Sequence, residues 1–240
     1  MAGRSQSMPN KLVLTACSAC SRVLDADEAG VRDELRAYVL QCLNPPSRLQ
    51  IGEQSRDVPE IPFPVYVIDE SGFPKRGTHS AGVQVQSCGA TGQIDNCQVG
   101  VFLSYATAEG HALIDCELYL PEDWINDAAR RRAAHIPETV VFQTKPELAR
   151  HMVQRAQSAG LPIRWVVADT VYGHSTDLRL WLEAQGLFFA LAVPANEVVC
   201  VQTSQGYRLC DVASIEQQVL GAQDWQRLSM REAHQRPEAL

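Results

Sequence analysis

Val65-Tyr66-Val67-Ile68-Asp69-Glu70-Ser71-Gly72 is a short β-branched and aromatic run that stops in an acidic segment closed by glycine. Its composition predicts a strand buried on both faces, followed by a sharp loop. A second run of the same kind, Ile163-Arg164-Trp165-Val166-Val167-Ala168, ends at Asp169-Thr170. Each aspartate therefore follows the C-terminal end of an apolar strand. If the two strands are parallel neighbours, a spacing of about 4.8 Å brings both carboxylates to one sheet edge. Two carboxylates so placed repel one another, so the pairing makes sense around cations. Mg²⁺ suits it, because this ion takes one or two carboxylates and completes its octahedron with water and substrate phosphate oxygens. Two such ions about 3.5 to 4 Å apart serve phosphodiester chemistry, one on the attacking oxygen and one on the leaving oxygen. The plainer alternative is that each Asp caps a turn, a position that Asp favours in any fold.

Working outward, Cys97 to Tyr105 and His111 to Leu120 are strand candidates joined by a hairpin-length connection, and they should pair antiparallel. Thr144-Lys145-Pro146-Glu147 matches a capping box. Leu148, Ala149, Met152, Val153 and Ala156 then line one helical face, and Gly160 supplies the stop. After the strand that ends at Asp169 and a Val-Tyr-Gly-His loop, Ser175 or Thr176 caps a helix carrying Leu178, Trp181 and Leu182 and closed by Gly186. Leu187 to Val193 reads as a last buried strand, and Val198 to Thr203 with Tyr207 to Val212 as a hairpin about Ser204-Gln205-Gly206. An antiparallel meander that feeds alternating β and α units implies an α/β fold with a mixed sheet and helices on its faces.

Upstream, Val31, Leu35, Tyr38, Val39 and Cys42 recur at helical spacing, with Arg32, Asp33 and Arg36 assigned to the opposite, solvent face. The division expected is an irregular arm over 1–24, a helix and Pro-rich linker over 25–64, a core over 65–197 and a β segment with an unmatched tail over 198–240.

The 240 residues are 45% hydrophobic, and 21 Lys+Arg against 28 Asp+Glu give a formal net charge of −7. At that length roughly 70 to 75% of the unfolded surface can be buried, which excludes disordered, collagen-like and disulfide-scaffold classes. No apolar run reaches the roughly 18 to 20 residues of a membrane helix, and the N-terminus lacks the apolar core of a signal peptide, so a cytoplasmic protein without a membrane partner is expected. Of the eight cysteines, Cys17 and Cys20 form a C-x-x-C without a second pair at zinc spacing. The acidic balance argues against strong electrostatic DNA binding by this chain alone.

A longer series of motifs points to a family. Val67 to Gly77, then His79-Ser-Ala-Gly-Val83 with Gln84 to Cys88, then Asn96-Cys-Gln-Val-Gly-Val-Phe-Leu103 resemble the DDE-type transposases of bacterial insertion sequences. The resemblance continues through Leu118 to Trp124, Thr144 to Ala149, Val167 to Gly173, Trp181 to Gly186 and Leu191 to Pro194, in order along residues 25–194. It implies a ribonuclease-H-like core with a five-stranded mixed sheet and flanking helices. In that family two Asp and a Glu on a later helix hold two Mg²⁺ or Mn²⁺ ions, which activate water to nick DNA and then a 3′-hydroxyl for strand transfer. By motif match Asp69 is the first carboxylate and Asp169 the second. Neither Glu216, Glu232 nor Glu238 sits in surroundings that match the glutamate helix, and residues 1–24 do not match the family's N-terminal DNA-binding region.

The chain is accordingly read as a shortened copy, incomplete at the C-terminus and impaired in activity. The alternative is a catalytically inactive fragment that binds DNA or a full-length transposase as an inhibitory module. The expected partners are DNA, in transposon ends and target, and a second copy or a full-length transposase, in the cytoplasm at the nucleoid. For phosphate contact the candidates are Lys75 and Arg76, beside the alternative of a solvated loop pair, and Arg130-Arg131-Arg132, beside the alternative of a solvated charged face. Tyr172 and Trp181 are either base-stacking or core residues.

Overall fold

A computed structural model describes residues 28–43, 64–107, 110–203 and 206–219. The arm over 1–24 with Cys17 and Cys20, nearly all of the Pro-rich linker, and Glu232 and Glu238 lie outside these residues, as does the side chain of Glu216.

Strand β1 (Val65–Pro74) is the middle of the sheet. On one side it runs antiparallel to the long β3 (Gln93–Thr107), in register from Val65↔Ala106 to Pro74↔Cys97. On the other it runs parallel to β5 (Trp165–Ala168), which in turn pairs parallel with β6 (Phe188–Leu191). β4 (Gly110–Tyr119) returns antiparallel along β3, and a short β2 (Gln84–Cys88) pairs with the first residues of β3. The order β4-β3-β1-β5-β6 is the mixed α/β sheet expected of a ribonuclease-H-like core, with β2 as a sixth strand.

The chain moves away from β1 in one direction through β3 and β4 and then crosses to the other side for β5 and β6. Both crossovers run the same way, so right-handed connections put their helices on one face. α4 (Lys145–Ser158) and α6 (Thr176–Ala184) do share a single buried cluster with Tyr66, Ile68, Val101, Leu103 and Val166. α4 begins with the full capping box of Thr144 and Glu147, and Gly160 takes the positive φ of a helix stop. Two short helices, α2 (Glu122–Asn126) and α3 (Ala128–Ala133), precede α4, and α5 (Thr170–Gly173) occupies the segment expected as a loop after Asp169. β7 (Val198–Thr203) and β8 (Gly206–Asp211) form a separate hairpin, followed by α7 (Val212–Gln218). Among the described residues no helix is long and apolar enough to cross a membrane.

Three expectations give way. First, β1 is buried on one face only: Tyr66 and Ile68 are buried while Val67 is exposed, and β6 alternates likewise. The helices cover one side of the sheet, and among the described residues the opposite side, with Val67 and Phe188, keeps solvent contact. Second, Asp69 to Gly72 is strand rather than loop, because β3 goes on pairing with β1 after β5 has ended. Gly72 marks a close approach, not a turn, since a Cβ there would stand 2.6 Å from the Cys88 Sγ.

Third, α1 (Glu28–Leu43) is rotated from the face its apolar spacing suggested. Val31, Tyr38 and Cys42 are exposed, whereas Arg36 is 3% exposed. The reason lies on β4. Its register with β3 slips at Ile114, so that Ile114 and Asp115 both turn inward. The buried Asp115 carboxylate takes Arg36 at 2.6 Å and Arg155 of α4 at 3.0 Å, with Arg32 at 3.4 Å. Arg155 also reaches Glu117 at 2.6 Å. A buried charge must be paired, and that requirement overrides the weak apolar stripe of α1.

Asp115→Ala leaves the buried Arg36 with only the exposed Asp33 carboxylate, at 2.8 Å, and is expected to cost about 3 kcal/mol in urea denaturation, the lower end for breaking a buried ion pair. Gly173 is tied as closely: a Cβ there would stand 1.8 Å from the Ala192 carbonyl oxygen. Gly173→Ala should therefore lose at least about 3 kcal/mol, at the upper end of overpacking costs, because the obstacle is backbone. Gly89→Ala, which meets nothing within 4 Å, should stay within about 0.5 kcal/mol of the parent in the same assay.

Candidate metal centre

The parallel pairing of β1 with β5 runs from Val65↔Trp165 to Ile68↔Ala168. Asp69 and Asp169 follow directly on each strand, so they leave the shared ladder side by side where the parallel pairing ends. This is the point where the sheet order reverses, the usual ligand position in open α/β sheets. Oxygens of Asp69, Asp169 and a third carboxylate, Glu70, lie within 4.8 Å of one another.

Each aspartate is held by the backbone of its own segment. The Glu70 N–H donates to Asp69 Oδ1 at 2.8 Å, and the Val171 N–H donates to Asp169 Oδ1 at 2.9 Å. Asp169 is thereby the N-cap of α5. The capping reading and the ligand reading of this residue are thus compatible: the cap fixes the side chain, and its second oxygen remains for the site.

Glu70 was not among the sequence candidates. It points to the helix side of β1, opposite to Asp69, and its side chain is 17% exposed. It comes within reach of Asp169 because β5 has ended at Ala168, which opens the edge of β1 at this height. The available signal was the acidic doublet Asp69-Glu70 itself. Its Oε1 accepts from Lys145 Nζ at 2.8 Å, and its Oε2 is buried without a hydrogen bond among the described residues. Tyr172, fully buried, lies against it, and its hydroxyl likewise lacks a well-formed hydrogen bond. Burial first, and then the carboxylates of Glu70, Asp169 and Asp69, push the Tyr172 phenol far above the usual range, so it stays protonated.

The donor set is all oxygen, and three carboxylates with the single ammonium bonded to them carry a formal charge of −2. A hard divalent cation fits both the donors and the charge.

The basic candidates divide. Because β1 continues to Pro74, Lys75 and Arg76 stand about 20 Å along the strand from Asp69, at about 3.3 Å per residue, and are not beside the carboxylates. Their loop is built by side chains from elsewhere. Asn96 Nδ2 donates to the carbonyls of Lys75 and Gly77, Gln98 Nε2 to that of Ala81, and Trp124 Nε1 to that of Val83. Arg130 belongs to this scaffold: its guanidinium lies 3.7 Å over the Trp124 ring and donates to the Val83 carbonyl at 2.9 Å. Arg131 donates to the carbonyls of Ile125, Pro137 and Val140. Arg132 is exposed, as is Arg76. Tyr172 and Trp181 are core residues, which leaves neither ring face to a base. His174 pairs with Glu197 at 2.9 Å.

The comparisons with known proteins agree with this geometry. Residues 30–208 match the family model described as DDE superfamily endonuclease. The chain is also 28% identical over 137 residues, 56% of its length, to a protein of Microchaete diplosiphon described as "Probable transposase for insertion sequence element IS701". The match spans 33% of that relative. No solved structure matches the chain. A family match over residues 30–208, which include every strand of the main sheet, together with carboxylate oxygens gathered where the parallel pairing of β1 and β5 ends, leads to one conclusion: this chain belongs to the DDE superfamily of endonucleases.

Proposed function

We propose that this chain is the catalytic domain of an insertion-sequence transposase, which cleaves DNA strands and transfers them at a site built on Asp69 and Asp169. The observation that carries the reading is the parallel register of β1 and β5, which sets the two aspartates side by side with a third carboxylate in reach. Residues 65–197 form the proposed core, Asp69 and Asp169 the proposed metal ligands, and Mg²⁺ or Mn²⁺ the proposed ions. Bound there, a divalent ion supplies Lewis-acid stabilisation of the charge that develops on phosphodiester oxygens.

The chain's own part is positional. Backbone N–H groups hold one oxygen of each aspartate, so that both carboxylates are pre-set rather than recruited. Arg76 and Lys75, on the braced loop, and the exposed Arg132 are the proposed contacts to DNA phosphate. Arg130 and Arg131 act indirectly, by shaping that loop and the segment beside it. At a net charge of −7 the protein relies on such local patches, and its affinity for DNA should fall steeply with salt. Transposon ends and target DNA are the proposed substrates, with the nucleoid as the place of action.

The test is a nicking assay on supercoiled plasmid with Mg²⁺ or Mn²⁺. Metal-dependent nicking is expected, abolished by EDTA and reduced to background in Asp69→Ala and in Asp169→Ala. Nicking that survives both substitutions overturns the assignment. Mn²⁺ binding without any nicking supports the second reading, an inactive fragment that acts by binding DNA or another transposase copy.

A further inference from the structure

Lys145 is in an electrostatically poor position for a cation. It is the first residue of α4, where the helix dipole presents partial positive charge and favours anions. It is also only 20% exposed. What compensates is Glu70, whose Oε1 it meets at 2.8 Å, with the Tyr119 ring 5.7 Å from its ammonium. Glu70 in turn commits Oε1 to Lys145 and keeps Oε2 buried, and its carboxylate belongs to the group that includes Asp69 and Asp169. The fully buried Tyr172 lies against the Glu70 carboxylate. A third carboxylate beside two others, offset by a single ammonium among the described residues, leaves a negative oxygen cluster that a divalent cation balances.

We propose that Glu70 is a ligand of the divalent cation in its own right, and that Lys145 competes with that cation for the same carboxylate. The inference rests on the metal reading given above. Glu70 then has two roles that oppose each other. It draws a divalent ion to the aspartate pair, and it shares its charge with an ammonium that weakens that draw. Lys145 thus sets how tightly the site holds metal, acting through Glu70 without touching the ion. Tyr172 is a positioning residue, its phenol presenting a neutral O–H to the inner side of Glu70.

The experiment is Mn²⁺ titration of the full chain by isothermal calorimetry, with the free-Mn²⁺ electron paramagnetic resonance signal as a second readout. It covers the parent, D69N, D169N, E70Q, K145Q and E70Q/K145Q. D69N and D169N should each abolish binding. E70Q should weaken it about tenfold or more, a loss typical of removing a group that supports a metal site. K145Q should tighten binding at least about threefold, because a positive charge bonded to a ligand has been removed. The tightening should vanish in the E70Q background, which is the signature of coupling through that one carboxylate. E70Q leaves Lys145 without its partner, so folding is monitored by circular dichroism, and the double variant, with neither charge, reports on Glu70 if the single one does not fold.

If D69N and D169N abolish binding while E70Q and E70Q/K145Q bind like the parent, the inference is overturned and the two-aspartate site stands. If K145Q tightens binding equally with and without Glu70, Lys145 acts as a diffuse charge and the competition is overturned. If D69N and D169N bind Mn²⁺ like the parent, the metal reading itself fails, and this inference with it.

Discussion

The structure depends on four residue pairs, Val65↔Trp165 through Ile68↔Ala168, in which β1 and β5 run parallel. Parallel neighbours cannot be joined by a hairpin, so the chain must build β2, β3, β4 and α4 between them. Those insertions bring the core helix onto the sheet, make β1 central and put the order reversal beside Asp69. Because β5 stops at Ala168 while β1 continues to Pro74, the register also ends in a step. At that step three carboxylates from two strands meet.

α4 is held at both ends by charge. Near its C-terminus Arg155 bonds the buried Asp115 and Glu117 of β4, and at its first residue Lys145 bonds Glu70 of β1. Between these ties its apolar face fills the core with Leu148, Ala149, Met152, Val153 and Ala156. The ties differ in consequence. The Asp115 carboxylate is buried among three guanidiniums from α1 and α4, so it specifies how these helices seat against β4. The Glu70 pair lies at the rim of the metal centre, where one carboxylate oxygen is still unbonded. One helix therefore couples the packing of the core to the electrostatics of the site.

The loop from Lys75 to Val83 shows how motifs acquire meaning only in space. Asn96, Gln98, Trp124 and Arg130 come from β3, α2 and α3, yet all four donate to carbonyls of this one loop. As a sequence, Arg130-Arg131-Arg132 is a basic triplet. In the fold, all three side chains donate to backbone carbonyls, and of the three only Arg132 remains exposed.

Strong local signals were legible in one dimension. The capping box at Thr144, the apolar face of α4, a cap of α6 at Ser175 or Thr176, the antiparallel β3–β4 pairing and an aspartate after each of two apolar strands all rest on contacts within a few residues or on strict periodicity. What could not be read there turned on partners far along the chain. Arg36 is inside because a bulge 79 residues later turns Asp115 inward. Glu70 joins the site because β5, a hundred residues on, ends one position before Asp169. Lys145 sits at a helix start that disfavours it because a carboxylate 75 residues away is waiting. Propensity and spacing are short-range, whereas the pairing of buried charges and the height at which neighbouring strands end are long-range; the first kind of physics sets the elements of this chain, and the second sets which side chains face one another.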